Sequence, residues 1–134
     1  MNRMIFINLP VRDLEVTRAF YTGIGCRLNA EYSDESAAAL VVSDSIVVMA
    51  LRRDHFADFV AGPVGDPAAA TTVINCLSAE SREEVDTMVQ RALAHGGKPW
   101  LDKMQDGPMY GHSFTDPDGH VWQLMWMDQL HVVN

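Results

Sequence analysis

The order of elements repeats along this chain, and that repeat constrains the fold more than any single motif. In the first half, "RMIFINL" (3–9) is rich in apolar and β-branched residues and predicts a strand, which Pro10 ends. Asp13 is placed to cap a helix over roughly 14–22, with Val16, Ala19, Phe20 and Ile24 as its buried stripe. "GIG" stops that helix. Three strand-like runs follow: "CRLNAEYS", "SAAALVVS" and "SIVVMALR". The last two meet at Ser43-Asp44-Ser45, which has hairpin-turn character. The first half therefore reads βαβββ.

The second half reads the same way. "TTVINCLS" predicts a strand, and Ser81 with Glu84 forms an S-x-x-E capping box ahead of a helix running to about 95. Val85, Val89, Ala92 and Leu93 are its expected buried stripe, and Gly96-Gly97 its stop. "KPWLDKMQ", "MYGHSFTD" and "HVWQLMWM" supply three more strands. "FIN" at 6–8 and "VIN" at 73–75 take matched places in the two halves. A βαβββ module leaves one sheet face to bury, and pairing two modules buries it. The expected fold class is α+β, one domain over 1–134, with modules at about 1–53 and 71–128. The segment 54–70 connects them, with a short helical turn at "HFADF".

Composition narrows the partners. The 134 residues carry 18 acidic and 10 basic side chains, for a formal charge of −8. Arg52-Arg53 is the one adjacent basic pair, so nucleic acid is not an expected partner. No apolar run reaches membrane-spanning length, so no membrane partner is expected. Cys26 and Cys76 form no metal-spaced pair and read as two small buried hydrophobes in a reducing, cytoplasmic setting.

Four features now resemble one family. They are "NLPVRDLEVTRAFYTGIGCRL", the paired βαβββ order, "AHGGKP" at the end of the second helix, and "FTDPDGHVWQLMW". Together they resemble the vicinal oxygen chelate superfamily, which includes glyoxalase I, extradiol dioxygenases, fosfomycin-resistance proteins and bleomycin-binding proteins. The resemblance implies curled mixed sheets around an open cavity and, in many members, a homodimer. In metal-dependent members it also implies His or Glu ligands on the first and last strand of each module, holding a cation that polarises the substrate.

Carried onto this chain, those ligand positions fall at Phe6, Met49, Val73 and Gln123. Phenyl and isopropyl groups donate nothing to a metal, thioether sulfur is too soft for hard divalent ions, and a Gln amide carries no charge. No cofactor is therefore expected, with a divalent metal as the alternative. Strand alternation then puts Met4 and Asn8 with Phe6, Asn75 with Val73, and Val121, Met125 and Met127 with Gln123. Apolar walls with a few neutral amides describe a small-molecule pocket. The ligand-binding candidates are Phe6, Asn8, Met49, Asn75, Gln123 and Met125. A competing reading has the two asparagines satisfying backbone groups at strand ends.

The histidines are weaker candidates. His112 is a catalytic acid or base only if a bulge at Gly111 turns it inward. His55 is placed as a flap residue, His95 as a helix end, His120 at a strand start and His131 in the tail. Trp122 and Trp126 share the face opposite Gln123 and read as core. The expected function is a glyoxalase/bleomycin-resistance-like protein that binds a small organic molecule without metal. The alternative is a metal-dependent lyase, isomerase or dioxygenase-like enzyme of the same superfamily.

Overall fold

Two βαβββ units are present, and a computed structural model describes residues 2–128. The first unit runs β1 (Ile5–Val11), α1 (Leu14–Gly23), β2 (Arg27–Asn29), β3 (Ala37–Ser43) and β4 (Ile46–Arg52). A short helix α2 (Arg53–Phe56) and a 3₁₀ turn (Ala57–Phe59) follow. The second unit runs β5 (Ile74–Ser78), α3 (Arg82–Ala94), β6 (Lys98–Pro99), β7 (Met104–Asp106), β8 (Met109–Thr115) and β9 (Val121–Met127). The sheets are separate and mixed. One has order β1-β4-β3-β2, the other β5-β9-β8-β6 with β7 also on β8. This is the expected α+β arrangement, but the sheets do not close on one another.

The caps work as their side chains dictate. Asp13 Oδ1 accepts from the amides of Glu15 and Val16. Ser81 Oγ accepts from Glu84 N, while the Glu84 carboxylate turns to Glu80 N, so the capping box forms with its return bond one residue early. Gly96 sits at φ +103° and lets Gly97 N reach Ala92 O.

Five local expectations need correction. β1 continues through Pro10, because β1 is an edge strand and a missing N–H there breaks no ladder. "CRLNAEYS" yields only a three-residue strand, because the Asn29 side chain accepts from Glu31 N and starts a 3₁₀ turn. "KPWLDKMQ" splits into β6 and β7. Finally, α1 buries Leu14, Thr17, Phe20 and Tyr21, while Val16 and Ala19 are exposed. Thr17 and Tyr21 occupy a buried stripe because their hydroxyls are bonded, to Asp13 O and Asp116 respectively. On α3, Val85, Val89 and Ala92 are buried as expected, but Leu93 is exposed.

The helix-bearing faces of the two sheets share one core. Phe20 stacks against Tyr21 and Phe114, and Tyr21 stands edge-on to Trp122. Leu9, Val11, Leu40, Val48 and Ala50 of the first sheet and Tyr110, Phe114, Trp122 and Leu124 of the second join that cluster. Cys26 packs against it, and burial pushes its thiol up to about 11. Cys76 departs from expectation: it is exposed, because it lies on the free face of the second sheet, level with Gln123.

A buried polar chain fastens the units together. Trp122 Nε1 donates to Tyr21 Oη (3.0 Å), and Tyr21 Oη donates to Asp116 Oδ2 (2.6 Å). Asp116 Oδ1 accepts the amides of Asp118, Gly119 and His120. Replacing Tyr21 with Phe leaves a carboxylate oxygen and an indole N–H unpaired, and costs about 2 kcal/mol. Asp116→Ala strands a phenol and three amides, and costs roughly 3–5 kcal/mol. Urea denaturation checks both; midpoints equal to wild type would mean the chain of bonds does not hold the units.

Candidate functional site

The free face of the first sheet carries a ladder of side chains in two rows. Strand register aligns Phe6, Val47, Val41 and Arg27 in one row, and Asn8, Met49, Ala39 and Asn29 in the next. All eight line an open hollow of about 730 Å³, closed at its margins by Met4, Tyr32, Ser43 and Asp44. The middle of each row is aliphatic, and the polar groups sit at the row ends. The structure thus brings together three residues picked from sequence, Phe6, Asn8 and Met49. Arg27, Asn29 and Tyr32 escaped the sequence reading. The signal for Arg27 and Asn29 was there: carrying the alternation at Met49 across β3 to β2 reaches both.

The other candidates lie elsewhere. Gln123 and Met125 are on the free face of the second sheet, Gln123 level with Cys76 and Ser113, and Met125 level with Gly111. The Gln123 amide lies beside Gly111, next to Met104. Asn75 pairs with Trp122 and therefore occupies the opposite, helix-bearing face. Its amide points to Val121 O at 3.5 Å, the backbone-satisfying role. The error is one residue of register: Ile74, not Val73, shares the Gln123 face, so "VIN" is not the structural partner of "FIN". Asn8 donates one Nδ2 hydrogen to Phe6 O, and its Oδ1 has no partner among the described residues.

No bulge interrupts β8 at Gly111, so His112 stays level with Leu124 on the helix side, away from Gln123. His120 is buried, its Nε2 2.9 Å from the Pro10 carbonyl oxygen, which requires the proton on Nε2. His55 stands edge-on to Phe59 in the connecting segment, and His95 Nδ1 bonds Arg91 O. His131 lies outside the described residues. A second hollow, about 450 Å³, lies between Ile7–Pro10, the 65–73 stretch and His120.

Acid–base groups cluster away from the 730 Å³ hollow. Burial raises the Asp116 carboxyl above its ordinary range, against the opposing pull of His120 and of the Tyr21 hydrogen bond. Burial, and then the charge of Asp116, pushes Tyr21 well above the ordinary phenol range. Tyr21 therefore stays a neutral donor. Asp86, half-buried, is held low by the Tyr110 hydroxyl and Lys103.

The donor chemistry also bears on metal. With the register corrected, the positions that the resemblance implies are Phe6, Met49, Ile74 and Gln123, which offer no carboxylate and no imidazole. These residues do not fit a hard or borderline divalent cation. Among the described residues, no three His, Cys, Asp or Glu side chains converge on a point. No helix among the described residues is long and apolar enough to cross a membrane.

Comparison with solved structures places the fold. A hypothetical protein from S. aureus superposes with TM-score 0.79 at 24% identity, covering 94% of each chain. A glyoxalase-related enzyme from Fulvimarina pelagi gives TM-score 0.80 at 19% identity, over 94% of this chain and 88% of that one. The fosfomycin resistance protein FosX from Listeria monocytogenes gives 0.67 at 20% identity, over 94% and 93%. No curated protein matches the sequence. The sequence model of the Glyoxalase/Bleomycin resistance protein/Dioxygenase superfamily matches residues 3–124. With nearly the whole chain matched and the paired βαβββ topology in place, this protein belongs to the Glyoxalase/Bleomycin resistance protein/Dioxygenase superfamily.

Proposed function

We propose that the protein binds a small organic molecule on the free face of its first sheet, without metal, and that it works as a homodimer. The observation that carries this reading is the two-row floor itself. It presents Phe6, Val41, Val47 and Met49 as an apolar bed and keeps hydrogen-bonding groups at the ends, which is the composition of a ligand pocket. The mismatched donor set at Phe6, Met49, Ile74 and Gln123 supports metal independence. The free cysteines Cys26 and Cys76 suit a reducing, cytoplasmic setting.

Exposed edges support the dimer. Ile5 on β1 and Ile74 on β5 are 53% and 52% exposed, with Met4, Phe6 and Val73 beside them. Both strands are sheet edges, and unpaired apolar edges are what a second copy covers. Such a copy would bring its second sheet, with Gln123 and Met125, over the open hollow. Gln123 would then be a pocket amide in the assembly although it is remote from Phe6 within one chain.

Two measurements test this. After dialysis against Ni²⁺, Zn²⁺, Mn²⁺ and Fe²⁺, both wild type and Gln123→Glu should retain far less than one ion per chain by mass spectrometry. Stoichiometric retention by wild type would revive the metal-dependent enzyme reading. Light scattering should give twice the 14.9 kDa chain mass, and the double change Ile5→Lys with Ile74→Lys should return it to a single chain. A monomeric wild type would remove the dimer and with it the role of Gln123.

A further inference from the structure

The hollow has a polar direction. On the β1 side, Asn8 offers its Oδ1 as an acceptor beside one remaining N–H, the other being donated to Phe6 O. On the β2 side the groups are donors. Asn29 Oδ1 is spent on Glu31 N, which turns its NH₂ outward as two free donors. The Tyr32 hydroxyl has no partner among the described residues. Arg27, exposed and level with Val41, makes no ion pair or hydrogen bond among the described residues, although the chain carries a net charge of −8. Acidic side chains are abundant in this protein, yet none is spent on this guanidinium. Among the described residues Asp44 at the β3–β4 turn is the one carboxylate lining the hollow, and it forms no ion pair with Arg27.

We infer that the ligand is an organic anion: an apolar, aromatic-sized body carrying one carboxylate or similar oxyanion. The oxyanion docks on Arg27, Asn29 and Tyr32, where a guanidinium fork matches two oxygens at once. The body lies across β3 and β4 toward Phe6. Three interstrand spacings of about 4.8 Å give a floor of roughly 14 Å, enough for a bicyclic aromatic acid. This inference rests on the small-molecule reading above and adds the charge and the direction of the ligand.

Three probes of matched shape test it: 2-naphthoate, 2-naphthamide and 2-naphthylmethylammonium, titrated calorimetrically into the full chain. Wild type should prefer naphthoate over naphthamide by about tenfold, the discrimination expected of one charge-assisted contact, with the ammonium weakest. Arg27→Gln should bind naphthoate and naphthamide alike, and Arg27→Lys should keep part of the preference. Asp44→Asn should tighten naphthoate modestly. Circular dichroism confirms folding, and Arg27 is exposed enough for its replacements to fold. If wild type binds all three equally, or Arg27→Gln keeps the anion preference, the anion assignment falls and the small-molecule reading survives. If wild type binds none of them, both fall.

Discussion

The structure depends on one buried carboxylate. Asp116 shapes the turn before β9 by accepting three successive amides on Oδ1, and its other oxygen takes the Tyr21 hydroxyl from α1 of the other module. Burying a carboxylate costs several kcal/mol unless its lone pairs are filled. Here four donors fill them, so the cost is offset only while the two modules stay together. Next to it, Asp118 accepts the amide of Arg12, and the Arg12 side chain reaches both Asp118 and Asp66 in the connecting segment. Gly119, at φ +102°, lets Ala68 pack where any Cβ would collide with its backbone. First module, connecting segment and second module thus meet at a single turn.

That junction decides where the binding surface can be. Because α1 reaches across to Asp116 and Trp122, the helix-bearing faces of both sheets are committed to the shared core. The opposite faces remain available. Within one chain the ladder of Phe6 and Met49 and the ladder of Gln123 and Met125 are therefore separate surfaces, each with an exposed apolar edge strand beside it. The arrangement that makes the chain fold leaves the hollow over Phe6 and Met49 open.

Much of this was legible in the sequence, and the failures have physical causes. Caps and stops were readable because Asp13, Ser81 and Gly96 act through local hydrogen bonds and backbone freedom, which travel with the residue type. The faces of β1, β4 and β9 were readable from alternation around Phe6, Met49 and Gln123. β5 was not, because Thr71, Thr72 and Val73 have strand-like side chains but no partner strand. A register counted through them slips by one, and a slip of one puts Asn75 on the wrong face. The buried stripe of α1 was misjudged for a different reason. Thr17 and Tyr21 look like surface residues until the Asp13 carbonyl, one helical turn back, takes the first hydroxyl and Asp116, 95 positions away in the chain, takes the second. The role proposed for Arg27 was hidden because it rests on an absence of ion pairs among the described residues, which only a folded arrangement reveals.

Losing ligand chemistry at the chelating positions changes what a site on this scaffold can do. A bound cation binds oxygens by coordination and tolerates an open, wet surroundings. A bed of Phe6, Val47, Val41 and Met49 binds by excluding water, so its yield follows the apolar area covered. Covering about 200 Å² of apolar ligand and floor is worth roughly 5 kcal/mol before the costs of association. Those costs take back a comparable amount, which leaves little net affinity on an open floor. Useful affinity then requires a lid, a charge anchor, or both. In the proposed complex Arg27 would be the anchor on the floor, and the unsheathed edges at Ile5 and Ile74 are where a covering copy would seat. On the proposed reading, the donor set, the exposed edges and a guanidinium unpaired among the described residues answer one requirement, that of holding a small molecule without a metal.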